Sequence, residues 1–213
     1  MKHAKIWRRL IIALAAIGLV AAMVASTRFV RGEVTTTPTG SSAALDPKEW
    51  AQANYASAVV PAIEDKAQPW ATLITALLAD PDGACSQYGQ QEPGANSCSF
   101  ATTVTGVLAA GNFGELAIAA DTPGGITVGF QVGPAITGTS LRDACGLANF
   151  GMFLNQTAYQ QAGTELNNMM KQAVLASFDA KAAIGKTYTV IGAFDWDGSG
   201  HVTITPVSIE VAS

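Results

Sequence analysis

From Asp46 onward, the hydrophobic positions first recur with the spacing of an α-helix. The stretch DPKEW is a helix start, in which Asp46 caps the first turn, the proline fits the first helical position and the glutamate completes a capping box. Pro61 and Pro69 interrupt the pattern, and each should kink the helix or restart it. The last piece, WATLITALLA, places its large apolar side chains on one face, and DPDG ends it.

The hydrophobic period then changes to that of strands. Three β-rich runs, SFATTVTGVLAA, ELAIAAD and GITVGFQVG, are separated by the hairpin-type connections GNFG and TPGG. A helical region starts at Ser140, which forms a capping pair with Asp143, and continues to about Phe178 with a break near Gly151. Two further strands, KTYTVIGAF and HVTITPVSIEV, end the chain.

This order of elements is typical of an OB-type barrel, whose helix lies between the third and fourth strands. We predict an α+β fold: a five-stranded OB-like β-barrel with a long helical insertion between strands 3 and 4, preceded by an N-terminal helical cap and a transmembrane helix. An ordinary α+β sheet is the competing arrangement. The predicted regions are a basic tail at 1–9, a transmembrane anchor or signal segment at 10–27, a flexible linker at 28–45, a helical subdomain at 46–82 and the barrel with its insertion at 83–213.

The N-terminal region predicts attachment to a membrane. Four basic residues precede an uncharged stretch from Leu10 to Thr27. This stretch is longer than the ~7–15 apolar residues of a signal peptide and lies at the short end of the ~17–25 residues of a spanning helix. Arg28 and Arg31 favour a retained anchor, whereas the small residues from Ala22 to Ser26 suit a signal peptidase. The basic tail predicts a cytoplasmic N-terminus at the bacterial inner membrane and a periplasmic globular domain.

The charge of the exported part disfavours one class of partner. Beyond Arg31 the chain carries six cations and 16 acids, which gives a net charge of −10. A surface of that sign repels phosphate backbones, and no stripe of Lys and Arg offsets the repulsion. We therefore predict that the protein does not bind nucleic acid.

The three cysteines have different predicted roles. Cys85 and Cys98 flank a loop rich in Gly, Gln, Pro and Asn, and in an oxidising periplasm we expect a disulfide that closes it. A closure of this size contributes ~3 kcal/mol to stability. Cys145 falls on the same helical face as neighbouring apolar residues, so we expect a small buried hydrophobe there.

Patterns that carry catalysis are scarce. The only histidines are His3 and His201, and no Ser-His-Asp, Cys-His or phosphate-loop pattern is present. Chemistry with two carboxylates needs acids that converge, and the candidates are Glu64, Asp65, Asp121 and Asp143. Because scattered acids are usually solvated or cap helices, we predict a protein that is not an enzyme and has no cofactor.

Three short stretches supply candidate binding residues for a ligand or a partner. VVPAIEDKA contains Glu64 and Asp65, GTSLRDA contains Arg142 and Asp143, and FLNQTAY contains Asn155 and Gln156. Each stretch also has an ordinary structural interpretation. These are a solvated helix face, an N-terminal cap with a salt bridge, and amides that satisfy the backbone at a helix break.

The stretch DWDGSGHVTI imitates the start of a calcium loop, with Asp195, Asp197 and Ser199 as candidate ligands. A helix-loop-helix calcium site needs flanking helices and a glutamate at its twelfth position, whereas here that position is Pro206 and both flanks resemble strands. We therefore predict no metal site, with calcium as the weaker alternative. Asp-Gly predicts the turn of the last hairpin, and Pro206 predicts a bulge or an edge.

The stretches VVPAIEDKA, GPAITGTSLRDA, FLNQTAYQQAGTELN and GAFDWDGSGHVTITPVSIEV together carry a resemblance. From about Asp46 to its end, the chain resembles an uncharacterised bacterial family of predicted periplasmic lipoproteins, domain of unknown function 2291. The resemblance implies a barrel-plus-helix domain in the periplasm and an association with sugar ABC transporters, beside which such genes are often encoded. The chain departs from the family because no cysteine lies near the N-terminal segment to accept a lipid, and because the loop between Cys85 and Cys98 is unusual.

These observations lead to one main functional hypothesis and two alternatives. The main hypothesis is a membrane-anchored periplasmic accessory or binding protein, linked to carbohydrate uptake by an ABC transporter. Its partner would be a component of that transporter or a small carbohydrate. The alternatives are an envelope enzyme that uses paired carboxylates on glycans, and a purely structural envelope protein.

Overall fold

Seven α-helices and seven β-strands form the described part of the chain, which in this computed structural model comprises residues 44–93, 95, 97–112 and 114–212. The helices are α1 (Pro47–Asn54), α2 (Val60–Lys66), α3 (Trp70–Ala79), α4 (Pro81–Tyr88), α5 (Ser140–Cys145), α6 (Gln156–Met170) and α7 (Ala180–Ala183). The strands are β1 (Gln68–Pro69), β2 (Gly89–Gln90), β3 (Cys98–Ala110), β4 (Glu115–Ala119), β5 (Thr127–Gln131), β6 (Thr187–Trp196) and β7 (His201–Val211).

The predicted basic tail, membrane segment and most of the linker fall on residues 1–43, which lie outside the described residues. Within the described ranges, no helix combines the length and the apolar character needed to cross a membrane.

Five of the strands close into a barrel. β3 pairs with β4, β4 with β5, β7 with β6 and β6 with β3, all antiparallel, while β5 pairs with β7 in parallel. The helices α5, α6 and α7 lie between β5 and β6, which are the third and fourth strands of the barrel. The predicted OB-like barrel with a helical insertion at this position is therefore confirmed.

The long strand β3 is shared between two neighbours and changes partner near Gly106. It pairs with β6 over residues 98–107 and with β4 over residues 107–110. Gly106 is buried, and a Cβ atom there would lie 2.4 Å from the carbonyl oxygen of Ala119. A glycine at this position therefore lets the backbone of β4 approach β3 closely enough to close the barrel.

Two cores lie on the two faces of the barrel wall. The inner core contains large side chains from all five strands, together with the apolar face of α3; among them are Phe100, Leu116, Phe130, Phe194 and Ile204. The outer core lies where α1, α2, α5 and α6 pack on β3, β6 and β7, whose contact residues there are Ala101, Ala193 and Val207. Small strand residues at this surface allow the helices to approach the sheet.

The N-terminal helices do not act together as the predicted cap. Only α3 packs into the interior, where Trp70 contacts Phe194 with ring centroids 6.1 Å apart, whereas α1 and α2 cover the outer face. The reason is the break at Pro69, which separates two helical segments whose apolar faces belong to different cores. The predicted boundary at 82/83 falls within α4.

A buried polar network fixes the start of α5 against the barrel. The side-chain nitrogen of Gln131 donates to the Thr205 hydroxyl (2.8 Å) and to the Thr137 carbonyl (3.0 Å). Ser140, the first residue of α5, donates from its hydroxyl to that of Thr205 (3.2 Å). Since all three side chains are less than 9% exposed, the hydrogen bonds are needed to offset the loss of their hydration.

The predicted cap at Asp46 is confirmed, whereas two other predictions about helix starts are wrong. Glu49 donates its backbone N–H to Asp46, but its side chain does not accept from the backbone of Asp46, so the predicted capping box is incomplete. Asp46 accepts hydrogen bonds from the backbone of Lys48 and Glu49, both at 2.9 Å. The predicted capping pair of Ser140 and Asp143 does not form, because the helix begins one residue earlier than that assignment requires. Thr139 occupies the cap position and donates from its hydroxyl to Asp143 Oδ2 (2.7 Å).

The C-terminal hairpin and the cysteines follow the sequence-based predictions. β6 and β7 are joined by the turn at residues 197–200, and the register shifts opposite Pro206. Cys85 and Cys98 form the expected disulfide. Cys145 is fully buried, as predicted, and burial raises the pKa of its thiol.

The close approach of β4 to Gly106 leads to a prediction about stability. In Gly106→Ala the new methyl group meets backbone atoms of β4, which cannot move without opening the barrel, so the free energy of unfolding should fall by roughly 2–3 kcal/mol. Denaturant unfolding followed by circular dichroism measures this change.

The matched control is Gly200→Ala, because a Cβ atom at Gly200 has no neighbour within 4 Å. This variant should stay within about 0.5 kcal/mol of the wild type. Equal effects of the two substitutions would contradict the proposed role of Gly106.

Candidate functional site

The strongest candidate site is a cleft of about 360 Å³ on the outer side of the barrel. Its walls come from the disulfide-closed loop after α4, the beginning of β3, α5, and the first turns of α6. The loop contributes Gln90, Glu92 and Ser97, while α6 contributes Gln156, Tyr159 and Gln160. The disulfide holds one wall to β3, and the buried network at Ser140 holds the opposite wall to β7.

Arg142 is the central residue of the cleft and is only 4% exposed. Its Nε and Nη2 atoms donate to the two carboxylate oxygens of Asp143, at 2.7 and 3.0 Å. Its Nη1 atom donates to the Tyr159 carbonyl (2.8 Å), and the guanidinium carbon lies 3.5 Å from the centroid of the Tyr159 ring. These contacts compensate for removing a charge from water, which otherwise costs several kcal/mol.

The guanidinium group retains capacity for a ligand. Arginine has five N–H donors, and the contacts to Asp143 and Tyr159 use three of them. No acceptor among the described residues takes the other two, which belong to Nη1 and Nη2. Within the described ranges, Arg142 therefore combines a fixed position at the lining of a cleft with two donors that are not used.

Asp143 is held by donors from three directions. Besides Arg142, it accepts from the Thr139 hydroxyl (2.7 Å) and from the Tyr159 hydroxyl (3.3 Å). Burial raises the pKa of Tyr159, although the nearby charge of Arg142 acts in the opposite direction. The Tyr159 hydroxyl therefore stays protonated and acts as a donor at neutral pH.

Asp195 lies behind the floor of the cleft, where it accepts a hydrogen bond from the Ser99 hydroxyl. One edge of its side chain is exposed, yet the surrounding protein displaces enough water to raise the pKa of its carboxyl group. The Ser99 hydrogen bond lowers that pKa, and the negative charge of Asp143 raises it. Three carboxylates, those of Glu92, Asp143 and Asp195, thus lie around a single arginine.

The structure brings together three of the six predicted binding residues. Arg142, Asp143 and Gln156 line the cleft. Asn155 lies beside it but acts as the cap of α6, since its side chain accepts from the backbone of Ala158 (2.9 Å). Glu64 and Asp65 are exposed on α2 and do not line the cleft.

The acids considered for two-carboxylate chemistry are spread over three elements. Glu64 and Asp65 lie on α2, Asp121 lies in the loop after β4, and Asp143 lies on α5. Only Asp143 lines the cleft, and it is bound to Arg142.

Sequence reasoning missed several residues of the cleft. The sequence spacing puts Tyr159 on the apolar stripe of α6, which predicts a core position, and its ring does contact Phe153 in the outer core, but its hydroxyl and carbonyl belong to the cleft. Glu92 and Phe150 lie in irregular segments without a hydrophobic period. The local signal in the sequence for this position is a large aromatic residue, Phe150, next to the glycine at the predicted helix break.

A second polar cluster lies on the uncovered outer face of β4, β5 and β7, beside a cavity of about 500 Å³. Glu115 interacts through one carboxylate oxygen with His201 Nε2 (2.9 Å) and accepts from the Thr203 hydroxyl through the other. The Nδ1 atom of His201 lies 2.8 Å from the Thr127 hydroxyl oxygen. That hydroxyl donates its single hydrogen to the Gly200 carbonyl (3.1 Å), so its oxygen is free to accept a hydrogen bond from Nδ1 of His201.

The calcium-like stretch forms the turn between β6 and β7. The Asp197 carboxylate accepts from the backbone N–H of Ser199 (2.8 Å), and this hydrogen bond lowers the pKa of Asp197. Asp195 is turned towards Ser99 instead of towards Asp197 and Ser199. Across the described ranges, no three His, Cys, Asp or Glu side chains are grouped so that they could hold a metal ion.

The position of Asp195 leads to a prediction about pH and stability. Because folding raises its pKa above the usual 3.8, the ionised carboxylate opposes folding at neutral pH, and this cost disappears as the pH falls below 3.8. Asp195→Asn keeps an oxygen to accept from Ser99 but carries no charge. The variant should therefore melt at a higher temperature than the wild type at pH 7 and at the same temperature at about pH 3.

Ser99→Ala serves as the control with the opposite sign, because it removes the donor that stabilises the carboxylate and should lower the melting temperature at pH 7. A lower melting temperature of Asp195→Asn at pH 7 would contradict the assignment.

Comparison with known proteins agrees with the fold and identifies a family. Among curated proteins, no sequence matches the chain. A crystal structure of an OB-fold protein from Thermotoga maritima resembles it with a TM-score of 0.63 and 16% identity, over 79% of this chain and 99% of that one. Residues 17–210 match the family described as Predicted periplasmic lipoprotein (DUF2291). The chain therefore belongs to this family of predicted periplasmic lipoproteins of unknown function, and its barrel is an OB fold.

Proposed function

We propose that this protein is a non-catalytic accessory protein that binds a small, uncharged carbohydrate in the Arg142 cleft and supports carbohydrate uptake by an ABC transporter. The observation that carries the proposal is the buried Arg142, held in place by Asp143 and Tyr159 while two of its donors have no acceptor among the described residues. Burial of a guanidinium group costs free energy, and a binding role explains why this one lines a cleft.

The chemistry around Arg142 suits a pair of neighbouring sugar hydroxyls. Each hydroxyl both accepts and donates, so it can accept from the guanidinium and donate to a carboxylate. Glu92 supplies a carboxylate in the same cleft, whereas the carboxylate oxygens of Asp143 already accept from Arg142, Thr139 and Tyr159. Gln156 and Gln160 supply amides that donate as well as accept. A ligand of this kind satisfies both signs of hydrogen-bonding group at once.

The apolar part of the cleft fits the same class of ligand. Phe150 lines the cleft, is 47% exposed and meets the Tyr159 ring edge-on at a centroid distance of 5.9 Å. Its free surface offers a flat apolar contact for the C–H face of a sugar ring. Ligand sites commonly combine such a surface with a few fixed polar groups.

Charge favours a neutral ligand over an acidic one. The charge of Arg142 is balanced by Asp143, while Glu92 and Asp195 add further negative charge nearby. A uronic acid or a sugar phosphate meets repulsion from these carboxylates at short range. The net charge of −10 beyond Arg31 acts in the same direction at long range.

The membrane attachment of this family member is part of the proposal. The cysteines of the chain are Cys85, Cys98 and Cys145, and none lies in the N-terminal segment where a lipid would be attached. The uncharged stretch from Leu10 to Thr27 supplies an anchor instead, with the N-terminus in the cytoplasm and the domain in the periplasm. The resemblance to proteins encoded beside sugar transporters supports a transporter component as the proposed partner.

A thermal-shift titration with mono- and oligosaccharides tests the binding function. A sugar that binds only the folded state stabilises it by about 2.7 kcal/mol at a concentration of 100 times Kd. Gln156→Ala removes a hydrogen bond to the ligand and should weaken binding about tenfold. Gln172→Ala is the matched control, because Gln172 is exposed outside the cleft and its loss should leave the titration unchanged.

Crosslinking in intact cells tests the link to the transporter, and we expect a transporter subunit among the recovered partners. The proposal fails if no sugar of the panel stabilises the protein and crosslinking recovers no transporter subunit. Stabilisation that is equal in the wild type and in Gln156→Ala would place the sugar outside this cleft.

A further inference from the structure

Apolar side chains that the core leaves exposed are concentrated at one place on the domain. Leu147, Phe150 and Leu154 lie in the connector between α5 and α6, and they are 41%, 47% and 78% exposed. Leu45, at the start of the described chain, is 40% exposed. We refer to these four residues as the connector patch.

The connector is anchored from within while its apolar side chains face outwards. Phe153, between Phe150 and Leu154, is only 5% exposed and contacts the rings of Trp50 and Tyr159 at centroid distances of 5.7 and 5.8 Å. The core therefore fixes this segment through Phe153 and leaves both neighbouring large side chains in solvent. Exposed apolar groups that are grouped together on a soluble domain commonly mark a contact surface.

The N-terminal chain enters the domain at this patch. The backbone N–H of Leu45 donates to the carbonyl of Met152 (3.0 Å), which places the first described residues directly beside the connector. Covalent geometry limits residues 28–43 to a span of at most ~56 Å. The patch is therefore tethered over at most this distance to the membrane anchor of the proposed function, in a family of predicted lipoproteins.

We propose that the connector patch rests on the periplasmic surface of the bilayer, with Leu147 and Leu154 inserted at the boundary between headgroups and acyl chains, while Phe150 stays at the rim of the cleft. This inference rests on the membrane anchor of the proposed function but does not depend on sugar binding. Leucine side chains enter this boundary favourably. The domain is acidic, so electrostatic attraction to anionic lipids does not contribute and the contact rests on apolar area.

The orientation has a consequence for the cleft. Phe150 belongs both to the connector patch and to the lining of the Arg142 cleft. When the patch lies on the bilayer, the cleft opens at the membrane surface, on the same side as any protein embedded in that membrane. Within the described ranges, the other large apolar residues that are exposed lie apart from one another, on α3, on β3, after α7 and on β7. They are Leu78, Val107, Ile184 and Val211.

A fluorescent probe on the full-length chain in vesicles tests the proposal. Leu154→Cys is labelled with a polarity-sensitive thiol probe, and the protein is reconstituted in vesicles of phosphatidylethanolamine and phosphatidylglycerol that carry nitroxide-labelled lipids. Labelling is selective because Cys145 is fully buried and Cys85 is bonded to Cys98. We expect quenching at residue 154 to exceed that at the control position by at least about threefold, because a group inserted ~5–10 Å into the interface meets the nitroxides.

The matched control is Val211→Cys, at an apolar residue that is 67% exposed but lies at the end of β7. Equal quenching at residues 154 and 211 overturns the proposal. If the probe at residue 154 reports an apolar environment but is not quenched by the labelled lipids, the proposal is also overturned, because the patch is then covered by protein. If that apolar signal is then lost when the protein is diluted in lipid, the protein that covers the patch is a second copy of the chain.

Discussion

The pairing of β3 with β6 joins Cys98 to Trp196 at one end and Val107 to Thr187 at the other, and it closes the barrel. Its inward residues, such as Phe100 and Phe194, stack at a centroid distance of 5.7 Å in the inner core. Its outward residues include Ala101 and Ala193, on which the helices pack. A single register therefore sets the interior, the surface that receives the helices and, through Ser99 and Asp195, the floor of the cleft.

The cleft depends on this arrangement because a buried arginine tolerates little displacement. Asp143 receives Arg142 side-on through two hydrogen bonds, and the Tyr159 ring covers the guanidinium. These groups come from α5 and α6, which are held to the barrel by separate contacts. The network of Gln131, Thr205 and Ser140 holds α5, while Tyr159 and Leu166 bury α6 in the outer core. The charge is thus satisfied by tertiary structure rather than by one local motif.

The parts of the structure that could be predicted from the sequence are those encoded by neighbouring residues. The order of elements is specified by strands in which apolar and polar residues alternate, by Gly-rich turns and by the helix start capped by Asp46. That order is enough to recognise the barrel. The division of the N-terminal helices between two cores could not be predicted, because an apolar stripe shows that a face is buried but not against what. The same limit applies to Tyr159, because its place on an apolar stripe predicts a core residue and says nothing of its hydroxyl group.

Candidate sites show the same division more sharply. Arg142 and Asp143 are candidate site residues from the sequence because two opposite charges are adjacent at a predicted helix start. The partnership of Glu115 with His201 had no local signal, since the two residues are 86 positions apart and meet only across β5. Gly129, on β5 between them, has no side chain on this face, and a Cβ atom there would lie 2.9 Å from a carboxylate oxygen of Glu115. Such a relation is set by the order of strands in the barrel.

The register between β3 and β6 also determines the order in which the domain can be completed as the chain is exported. β3, β4 and β5 leave the membrane before β6 and β7 and can form a meander. The second edge of β3 remains unpaired until β6, which follows the whole helical insertion, has also been exported. Pairings this distant in sequence form slowly, and an open strand edge is a template for pairing with another chain. Completion of this barrel therefore waits for the last hairpin, so premature termination within the final two strands leaves an aggregation-prone sheet rather than a smaller folded domain.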